Sequence, residues 1–416
     1  MKVAYVVYNE RPSSGLMRTQ VIALLKEIVR RRPGIELTLI ALWQPWVMRR
    51  HRAEIAALST ELAAAGIRQR DLPWALVPTR HFAYRGLLFP LLRAWVRVIM
   101  RAALREKFDV VHCRGYLPSY GAAACKAAFG HRLVFDMRSL WPREHLTIGA
   151  WRAEDRIHRQ WVELERRTAV AADATIGVSP AMVDDIRAID SRVHAVHVPI
   201  CVDLEEIRFD AGARARLRAE LGWQQNPVIV YQGSLGLMNS NLQEVAEVLG
   251  PVSRAMPDTR FLVLTSNRDV DIAAVLRGFG IDAARFAVRH PSREELREWM
   301  SAADAGIHAM STGPDSATRL GVKIVEYLAC GLPIIVNPHV GAAARLVREN
   351  GVGAVLEGVD AAEIRAKLAP LFEQHPVPSS ASRELATRTF SLGACADRYL
   401  GLYDGDAARG EVHAAA

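Results

Sequence analysis

Residues 323–333 read KIVEYLACGLP, and this stretch carries the clearest functional signal in the chain. Lys323 and Glu326 are three residues apart, so on a helix they lie on one face close to its N-terminus. A cation there can neutralise a diphosphate, a carboxylate can accept hydrogen bonds from the hydroxyls of a ribose or a donor sugar, and the helix dipole favours phosphate. Gly331 and Pro333 then end the helix before an apolar segment. The alternative is an exposed ion pair worth roughly a few tenths of a kcal/mol.

The segments around this stretch alternate between short apolar runs and longer amphipathic runs. Such alternation is typical of a parallel sheet covered by helices on both faces. The pattern restarts after residues 198–200, which predicts two Rossmann-like, doubly wound α/β domains with ligand-binding loops at the carboxyl ends of their strands. The predicted strands are residues 3–7, 36–42, 110–112, 132–136 and 174–178, and then 228–231, 261–264, 305–308 and 333–336. The predicted helices include 17–30, 51–65, 155–171 and 203–223.

The length of 416 residues also fits two domains of roughly 200 residues each. We predict an N-terminal domain over 1–200, a C-terminal domain over 201–385, a helix over 386–404 that returns to the first domain, and a disordered tail over 405–416. A cleft between two such domains is expected to hold a nucleotide, because Gly-rich loops and helix N-termini present N–H groups to phosphate.

Charge is divided unevenly between the two halves of the chain. Residues 1–200 contain 31 Lys and Arg against 18 Asp and Glu, whereas the remainder contains 22 against 27, and the net charge is +8. The basic half is expected to face anionic lipid, an anionic glycan or nucleic acid. The five cysteines are scattered without a C-x-x-C pair, which indicates reduced thiols and a cytoplasmic location. No signal peptide and no membrane span of about 20 apolar residues is predicted.

Four short segments occur in an order that is characteristic of one enzyme family. Residues 172–179 (ADATIGVS) are similar to ADxxIxVS, 198–203 (VPICVD) to IPNGVD, 301–306 (SAADAG) to AAADVG, and 323–333 to KxxEYLAxGxPVI. From residue 108 to residue 357 the chain resembles the GT-B-fold glycosyltransferases of family 4, also called group 1. The resemblance implies two Rossmann-like domains that face each other across a cleft. It also implies retaining transfer of a sugar from a nucleotide-sugar donor to a lipid-linked or polysaccharide acceptor, in cell-surface glycan biosynthesis.

Two positions depart from the family pattern. Members usually carry two glutamates separated by seven residues; Glu326 occupies the second position and Thr318 the first, as in a sub-branch of the family. Ser234 stands where the family's glycine loop has Arg, so other residues have to supply the positive charge for phosphate. The donor-binding residues implied by the resemblance are Gly15, Gly233, Ser234, Arg268, His290, Arg319, Lys323 and Glu326.

The N-terminal half offers candidates for the catalytic residues. Gly15 closes the loop after the first strand, where related enzymes use glycine so that the backbone can approach a ligand; the alternative is a plain turn. Residues 135–144 (FDMRSLWPRE) resemble an Asp-x-Arg variant of the family's catalytic pocket. Asp136 and Arg138 would point the same way on an extended backbone. We predict that they contact the acceptor hydroxyl and the donor sugar, and the alternative is a buried structural pair. His112, at the end of the preceding strand, is more often a core histidine.

Residues 80–107 combine a basic stripe with an apolar stripe that contains Trp95. The arginines of the basic stripe are Arg85, Arg93, Arg97, Arg101 and Arg105. This pattern is typical of a helix lying in a membrane interface, here near residues 85–105. It predicts peripheral binding to anionic lipid on the inner face of the plasma membrane. The alternative is a core helix with a solvated basic stripe.

No cofactor and no metal ion are expected, because no D-x-D motif stands at a plausible strand end and the family does not need a divalent ion. The expected partners are the nucleotide-sugar donor, a lipid-linked or glycan acceptor and an anionic membrane surface, with no nucleic acid. Two alternatives remain open: a sugar-nucleotide 2-epimerase of the same fold, and a non-catalytic binding or scaffold protein, which Thr318 and Ser234 motivate. A dinucleotide-dependent dehydrogenase is disfavoured, because residues 9–15 lack the G-x-G-x-x-G pattern.

Overall fold

The computed structural model describes residues 1–8, 10–74, 89–233, 242–268, 270–373 and 377–405. The chain divides into two compact units: the first comprises Met1–Pro199 and the segment from Leu392 onward, and the second comprises Ile200–Ser391. Each unit is built on a parallel sheet flanked by helices, so the predicted pair of doubly wound α/β folds is confirmed.

The first unit contains a seven-stranded parallel sheet. Its strands are β1 (Lys2–Tyr8), β2 (Glu36–Trp43), β3 (Arg68–Pro73), β4 (Val110–Arg114), β5 (Arg132–Asp136), β6 (Ala174–Gly177) and β7 (Ala195–His197). Its helices are α1 (Gly15–Met17), α2 (Ala23–Arg31), α3 (Pro45–Arg50), α4 (Arg52–Ala64), α5 (Phe89–Ala103), α6 (Tyr116–Phe129), α7 (Trp141–Thr147), α8 (Arg156–Ala171) and α9 (Pro180–Arg187), with a π-helical turn at Arg18–Ile22. The strand order is β3-β2-β1-β4-β5-β6-β7, and the register sets Arg114 opposite Asp136.

The second unit contains a six-stranded parallel sheet. Its strands are β8 (Val228–Gln232), β9 (Arg260–Leu264), β10 (Phe286–Arg289), β11 (Ala305–His308), β12 (Ile334–Val336) and β13 (Gly353–Val355). Its helices are α10 (Ala211–Leu221), α11 (Leu242–Ala255), α12 (Ile272–Gly278), α13 (Arg293–Ser301), α14 (Val322–Ala329), α15 (Gly341–Asn350), α16 (Ala361–Glu373) and α17 (Ser380–Leu385), with 3-10 turns at Ala283–Arg285 and Ser316–Thr318. The strand order is β10-β9-β8-β11-β12-β13.

The four strands that the sequence pattern did not identify are β3, β7, β10 and β13, which are the edge strands of the two sheets. β3 reads RQRDLP and contains no buried residue, whereas the five interior residues of the central strand β1 are all buried. An edge strand has only one neighbouring strand and more access to water, so it does not need a continuous apolar run. Apolar runs therefore identify the centre of each sheet better than its margins.

In both sheets the strand order reverses beside the first strand of the unit. The reversal lies between β1 and β4 in the first unit and between β8 and β11 in the second. In doubly wound sheets, ligands bind outside the carboxyl ends of the strands at such a switch point. The loops that follow these four strands are therefore expected to carry functional side chains.

The last helix, α18 (Leu392–Asp404), belongs to the first unit and packs against α2. Nη1 of Arg31 lies 2.7 Å from both carboxylate oxygens of Asp397. The returning helix thus begins at Leu392, later than the predicted residue 386, because residues 386–390 form a π-helical turn that continues α17 in the second unit. The tail predicted to be disordered lies, beyond Gly405, outside the described residues.

Candidate functional site

The carboxyl end of β8 brings Gly233 and Lys323 together. Gly233 has a φ of 149°, which favours glycine, and a Cβ atom on it would lie 2.8 Å from Nζ of Lys323, so the loop passes close to this ammonium group. Lys323 lies in the first turn of α14, with Nζ 3.3 Å from the hydroxyl oxygen of Tyr231 and 4.6 Å from the centre of its ring. Two predicted donor-binding residues, distant in the sequence, are therefore neighbours.

Lys323 is half-buried at the start of α14. Burial lowers the pKa of Lys323 to about 8, and the nearby carboxylate of Glu326 opposes that shift. The ring of Tyr231 supplies a cation–π attraction of roughly 1 kcal/mol or more for a desolvated cation. Because the local dielectric is low, a phosphate bound here would attract the ammonium more strongly than it would in water.

Tyr327 connects α14 to the sheet. Its hydroxyl accepts a hydrogen bond from the backbone N–H of Gln232 at 2.7 Å and donates to the carbonyl of Ile307 at 3.4 Å. Its ring lies directly over Gly306, where a Cβ atom would be 2.3 Å from the nearest ring carbons. These contacts hold α14 against β8 and β11, the two strands on either side of the switch point.

Glu326 is only 3% exposed and forms an ion pair with Arg293, the first residue of α13. Nε of Arg293 donates to Oε1 of Glu206 at 2.6 Å, so one guanidinium bridges two carboxylates. Lys323 and Glu326 thus share a helix face, as predicted, but each has its own partner, because Lys323 lies over Tyr231. Arg293 gives no signal in the sequence, since no local spacing relates it to Glu326.

Arg319 is held inside the loop that precedes α14. Its Nε and Nη2 donate to the two carboxylate oxygens of Asp315 at 3.0 and 2.9 Å, and its Nη1 donates to the carbonyl of Ser311 at 2.7 Å. Thr318, at the position of the missing glutamate, donates from its hydroxyl to the carbonyl of Asp315 at 2.9 Å. The guanidinium therefore shapes the loop, and its contact with phosphate stays a prediction.

The other predicted donor-binding residues of this unit follow neighbouring strands. Arg268 is exposed in the loop after β9. His290 directly follows β10, with Nδ1 2.8 Å from the carbonyl oxygen of Thr265. Both lie at the carboxyl edge of the sheet that also carries Gly233. Ser234 lies outside the described residues.

His308, the last residue of β11, is a further polar group that the sequence analysis missed. It is buried, and its Nδ1 has no hydrogen-bond partner among the described residues. Burial, helped by the charges of Lys323 and Arg319, holds the pKa of His308 well below its usual value, so the imidazole is neutral. A neutral ring with an unsatisfied nitrogen can exchange one hydrogen bond with a ligand. A single histidine in an apolar run gives no sequence signal that distinguishes it from a core residue.

In the first unit, Asp136 is the centre of a buried ionic cluster at the end of β5. Its carboxylate oxygens lie 3.6 Å from Nη1 of Arg138, 3.8 Å from Nη1 of Arg114 and 3.6 Å from Nε2 of His112. Burial alone would raise the pKa of Asp136, but Arg138, His112 and Arg114 outweigh it and hold the pKa at about 2. The carboxylate is therefore ionised throughout the physiological range, and Arg114 is a cluster member that the sequence analysis did not name.

The expectation of an extended backbone through Arg138 is wrong. β5 ends at Asp136, and Arg138 has a φ of 63°, in the left-handed region that non-glycine residues rarely adopt. Such a conformation costs of the order of 1 kcal/mol and is found preferentially at functional sites. The two side chains meet nevertheless, because the turn rather than the strand directs Arg138 towards Asp136.

His112 lies in the middle of an aromatic cluster. Its Nδ1 is 2.8 Å from the hydroxyl oxygen of Tyr403 in α18, and its ring centre is 4.3 Å from that of Tyr5. Burial lowers the pKa of His112, although Asp136 opposes the shift. The structure therefore supports the interpretation of His112 as a core residue that contacts the ionic cluster.

Gly15 is the first residue of α1, and Ser14 caps this helix by accepting a hydrogen bond from the N–H of Met17 at 3.1 Å. A Cβ atom on Gly15 would meet no atom within 4 Å. The protein itself therefore leaves space at this position, and the approach of a ligand to Gly15 stays a prediction.

Comparison with known sequences matches both units to glycosyltransferase families. The family described as Glycosyltransferase Family 4 matches residues 17–206, and the family described as Glycosyl transferases group 1 matches residues 226–374. A curated relative, the GDP-mannose-dependent alpha-(1-6)-phosphatidylinositol monomannoside mannosyltransferase of Mycolicibacterium smegmatis, is 26% identical over 169 residues, which are 39% of this chain. The match spans 43% of that relative's length.

Solved structures share the fold at low sequence identity. The sucrose-phosphate synthase of Thermosynechococcus elongatus is similar with a TM-score of 0.70 and 17% identity, covering 97% of this chain and 98% of that chain. HepE from Anabaena, solved in complex with UDP and glucose, is similar with a TM-score of 0.65 and 14% identity, covering 97% and 99%. At these identities the likeness shows the fold.

Proposed function

This chain belongs to the GT-B-fold glycosyltransferases of family 4 (group 1), and we propose that it transfers a sugar from a nucleotide-sugar donor to an acceptor hydroxyl. The observation that carries this proposal is the desolvated cation of Lys323 beside Gly233, at the switch point of the second sheet. A diphosphate fits this place, because the ammonium and the N-terminus of α14 both favour negative charge. The UDP and glucose present in the structurally similar HepE support the same class of ligand.

In the proposed reaction, the bond between the anomeric carbon and the diphosphate oxygen breaks, the acceptor oxygen forms the new glycosidic bond, and the proton of the acceptor hydroxyl passes to the departing diphosphate. The diphosphate leaves with additional negative charge, which Lys323 stabilises because it is already in position and desolvated. Glu326 accepts hydrogen bonds from hydroxyls of the donor, and the family resemblance favours retention of anomeric configuration. No cofactor takes part, and we expect activity to persist in excess EDTA.

Asp136 and Arg138 have different parts in this proposal. A carboxylate with a pKa of about 2 is a poor proton acceptor, so Asp136 holds and orients the guanidinium groups of Arg114 and Arg138. Arg138 retains 17% side-chain exposure and is the member of the pair that can reach a substrate. This refines the prediction that both residues contact substrates directly.

The acceptor in our proposal is lipid-linked and is reached by peripheral docking of α5 on an anionic membrane. Leu91, Trp95 and Val98 recur at helical spacing and are 63%, 40% and 62% exposed. Arg93 and Arg97 lie over the ring of Tyr120 along a separate stripe of the helix. α5 packs its other apolar face into the first unit, and the exposed apolar stripe beside a basic one supports docking of its outer face on a membrane interface. Residues 80–88 of the predicted segment lie outside the described residues, which resume at Phe89.

A groove beside α5 adds to the basic character of this surface. It has a volume of about 380 Å³ and is lined by Arg93, Arg156, Arg159 and Arg167 against one carboxylate, Glu163. Such an excess of cations favours a phosphate-bearing headgroup. Within the described ranges, no helix is both long enough and apolar enough to cross a bilayer.

A donor panel tests the transferase proposal. Titration calorimetry with UDP-, GDP- and TDP-sugars should find one preferred nucleotide, and product analysis with membrane-extracted acceptors should find a glycosylated lipid or glycan. Release of free nucleoside diphosphate without any acceptor would favour the sugar-nucleotide 2-epimerase. Binding of a donor without turnover on any acceptor would favour the non-catalytic scaffold.

Vesicle co-sedimentation tests the membrane proposal. The protein should bind vesicles that contain anionic phospholipid and should be released by salt. The double variant Leu91→Ser/Val98→Ser should bind at least about tenfold more weakly, because two apolar side chains no longer enter the interface. Val359→Ser, at a 71% exposed position of the second unit, is the matched control and should bind like the wild type. Equal binding by all three proteins would contradict the docking role of α5.

A further inference from the structure

We propose that Arg293 is a positioning residue that fixes the carboxylate of Glu326 for recognition of the 2′- and 3′-hydroxyls of the donor's ribose. The inference rests on the proposed function, because it takes the ligand to be a nucleoside diphosphate sugar. Arg293 lies within the family match over residues 226–374 but outside the four short motifs at 172–179, 198–203, 301–306 and 323–333. Arg293 opens α13, whereas the candidate donor residues lie in α14 and in the loops after the strands.

The guanidinium of Arg293 has defined partners on both sides. Its Nη1 donates to Oε1 of Glu326, and its Nε donates to Oε1 of Glu206 at 2.6 Å. Oε2 of Glu326 accepts no hydrogen bond from the described residues. One oxygen of the carboxylate is therefore held by the protein, and the other is left for a ligand.

The start of α13 is itself well fixed, which gives the arrangement its rigidity. Ser292 caps the helix by accepting from the N–H of Glu295, and the carboxylate of Glu295 accepts from the N–H of Ser292 at 2.8 Å. This reciprocal capping box holds the backbone from which Arg293 projects. His290, at the end of β10, is only three residues earlier, so α13 begins at the carboxyl edge of the sheet, where the nucleotide is expected.

Glu326 needs such a partner because it is almost completely buried. A buried carboxylate without a cation carries a large desolvation penalty and would turn towards the nearest positive charge. That charge is Lys323, three residues earlier on α14, whose pKa Glu326 already influences. If Glu326 paired with Lys323, the cation would be less available to the diphosphate and the carboxylate less available to the ribose. Arg293 keeps the two functions apart.

Glu206 completes the arrangement by restraining Arg293. Burial lowers the pKa of Arg293, but Glu326 and Glu206 outweigh this and raise it overall, so the guanidinium stays charged. Because Nε and Nη1 are both engaged, the planar guanidinium has a single orientation. Lysine at this position offers one point charge in place of a rigid fork, and it cannot reproduce both contacts.

The simplest competing interpretation is an ion pair that only ties α13 to α14. Such a pair would change stability when it is broken, but it would not change how the protein distinguishes ribose from deoxyribose. The ratio of the dissociation constants for the 2′-deoxy nucleotide and the ribonucleotide therefore separates the two interpretations. This ratio reports on Glu326 directly and does not depend on transferase turnover.

The experiment is titration calorimetry of the full chain with UDP, GDP and their 2′-deoxy counterparts. The wild type should bind the preferred ribonucleotide at least about tenfold more tightly than its deoxy form, since a hydrogen bond to a charged acceptor is lost. In Arg293→Met and in Glu326→Gln the ratio should fall towards one, and Arg293→Lys should give an intermediate ratio. The matched control is Arg216→Met. This variant breaks the exposed ion pair between Arg216 of α10 and Glu298 of α13, the helix that also carries Arg293, and it should keep the wild-type ratio.

Each outcome bears on one of the two proposals. If the wild type binds neither diphosphate, the proposed function itself fails. If it binds a diphosphate but does not distinguish ribose from deoxyribose, or if Arg293→Met keeps the wild-type ratio, the role of Arg293 is overturned while the donor class stands. Should Arg293→Met fail to fold, Arg293→Lys decides, because an unchanged ratio in that variant also overturns the role of the guanidinium.

Discussion

Lys323 has to be charged to hold a diphosphate, yet its surroundings disfavour the charge. Burial lowers the pKa of Lys323 to about 8, whereas a bound diphosphate would raise it again by stabilising the ammonium. The free protein and the complex should therefore lose the proton at different pH values. If Lys323 binds the diphosphate as proposed, donor affinity should depend on pH in the mildly alkaline range.

We expect kcat/KM for the nucleotide sugar to fall as the pH rises above about 8. The sign follows from the lowered pKa: the active, protonated Lys323 is populated below that value and is lost as the pH passes through it. Lys323→Gln should reduce kcat/KM by on the order of 100-fold and remove the alkaline decline. The measurement is the pH profile of kcat/KM for both proteins. A decline that persists unchanged in Lys323→Gln would assign it to another group.

The left-handed conformation of Arg138 leads to a second expectation at the residue scale. Arg138→Ala should be less stable than Arg138→Gly by about 1 kcal/mol, because alanine keeps the unfavourable φ that glycine tolerates. Both variants remove the cation that faces Asp136, so transferase activity should fall by a similar, large factor in both. Urea unfolding measures the first quantity and initial rates the second. Equal stabilities would show that the backbone relaxes when the side chain is removed.

At the scale of elements, α14 can present the proposed donor-binding side chains only because it is held against the sheet. Tyr327 provides that link through its hydrogen bond to the N–H of Gln232 and through its ring, which lies over Gly306. A helix of eight residues has little stability of its own, so its position depends on such tertiary contacts. Changes beneath α14 should therefore affect ligand binding as well as stability.

Gly306→Ala tests this dependence. The added methyl group would overlap the ring of Tyr327, so we expect the free energy of unfolding to fall by about 2 kcal/mol and nucleotide affinity to fall with it. Gly278→Ala, at the end of α12, is the control, because a Cβ atom there would meet no atom within 4 Å. Denaturant unfolding and calorimetry with the preferred nucleotide give the two readouts. Unchanged affinity in a destabilised Gly306→Ala protein would show that α14 keeps its place by other contacts.

At the scale of the whole molecule, the first unit is completed by a segment from the far end of the chain. α18 buries Tyr399 and Tyr403 against the unit, and the hydroxyl of Tyr403 lies 2.8 Å from Nδ1 of His112 beside the ionic cluster of Asp136. The N-terminal 199 residues therefore do not contain the complete core of the unit to which they belong. Loss of the C-terminal helix should affect the N-terminal candidate site.

In a chain that ends at Ser391, the first unit should be strongly destabilised against unfolding, because several large buried side chains lose their partners. The second unit keeps all its strands, so nucleotide binding should be retained in part. A chain that ends at Gly405 keeps α18 and is the control. In calorimetric unfolding, the transition of the first unit should be lost or shifted to lower temperature only in the shorter chain. An unaltered profile would mean that α18 contributes little to the core.

Local patterns in the sequence determined much of this protein. Alternating apolar and amphipathic runs predicted two doubly wound folds, because burial on both faces of a central parallel strand requires a continuous apolar segment. They did not identify the four edge strands, because β3 and β10 are only partly buried and β7 and β13 are only three residues long. The shared helix face of Lys323 and Glu326 was also predictable, because their spacing is local.

The contacts that these residues make depend on the packing of segments that are distant in the sequence. Lys323 lies over Tyr231, Glu326 pairs with Arg293, and Arg138 turns towards Asp136 through a left-handed residue. Periodicity reports whether a position is buried, but it contains no information on which distant segment arrives beside it. The partner of a buried charge depends on how helices and strands are arranged in space, and that arrangement is set by the packing of the whole unit.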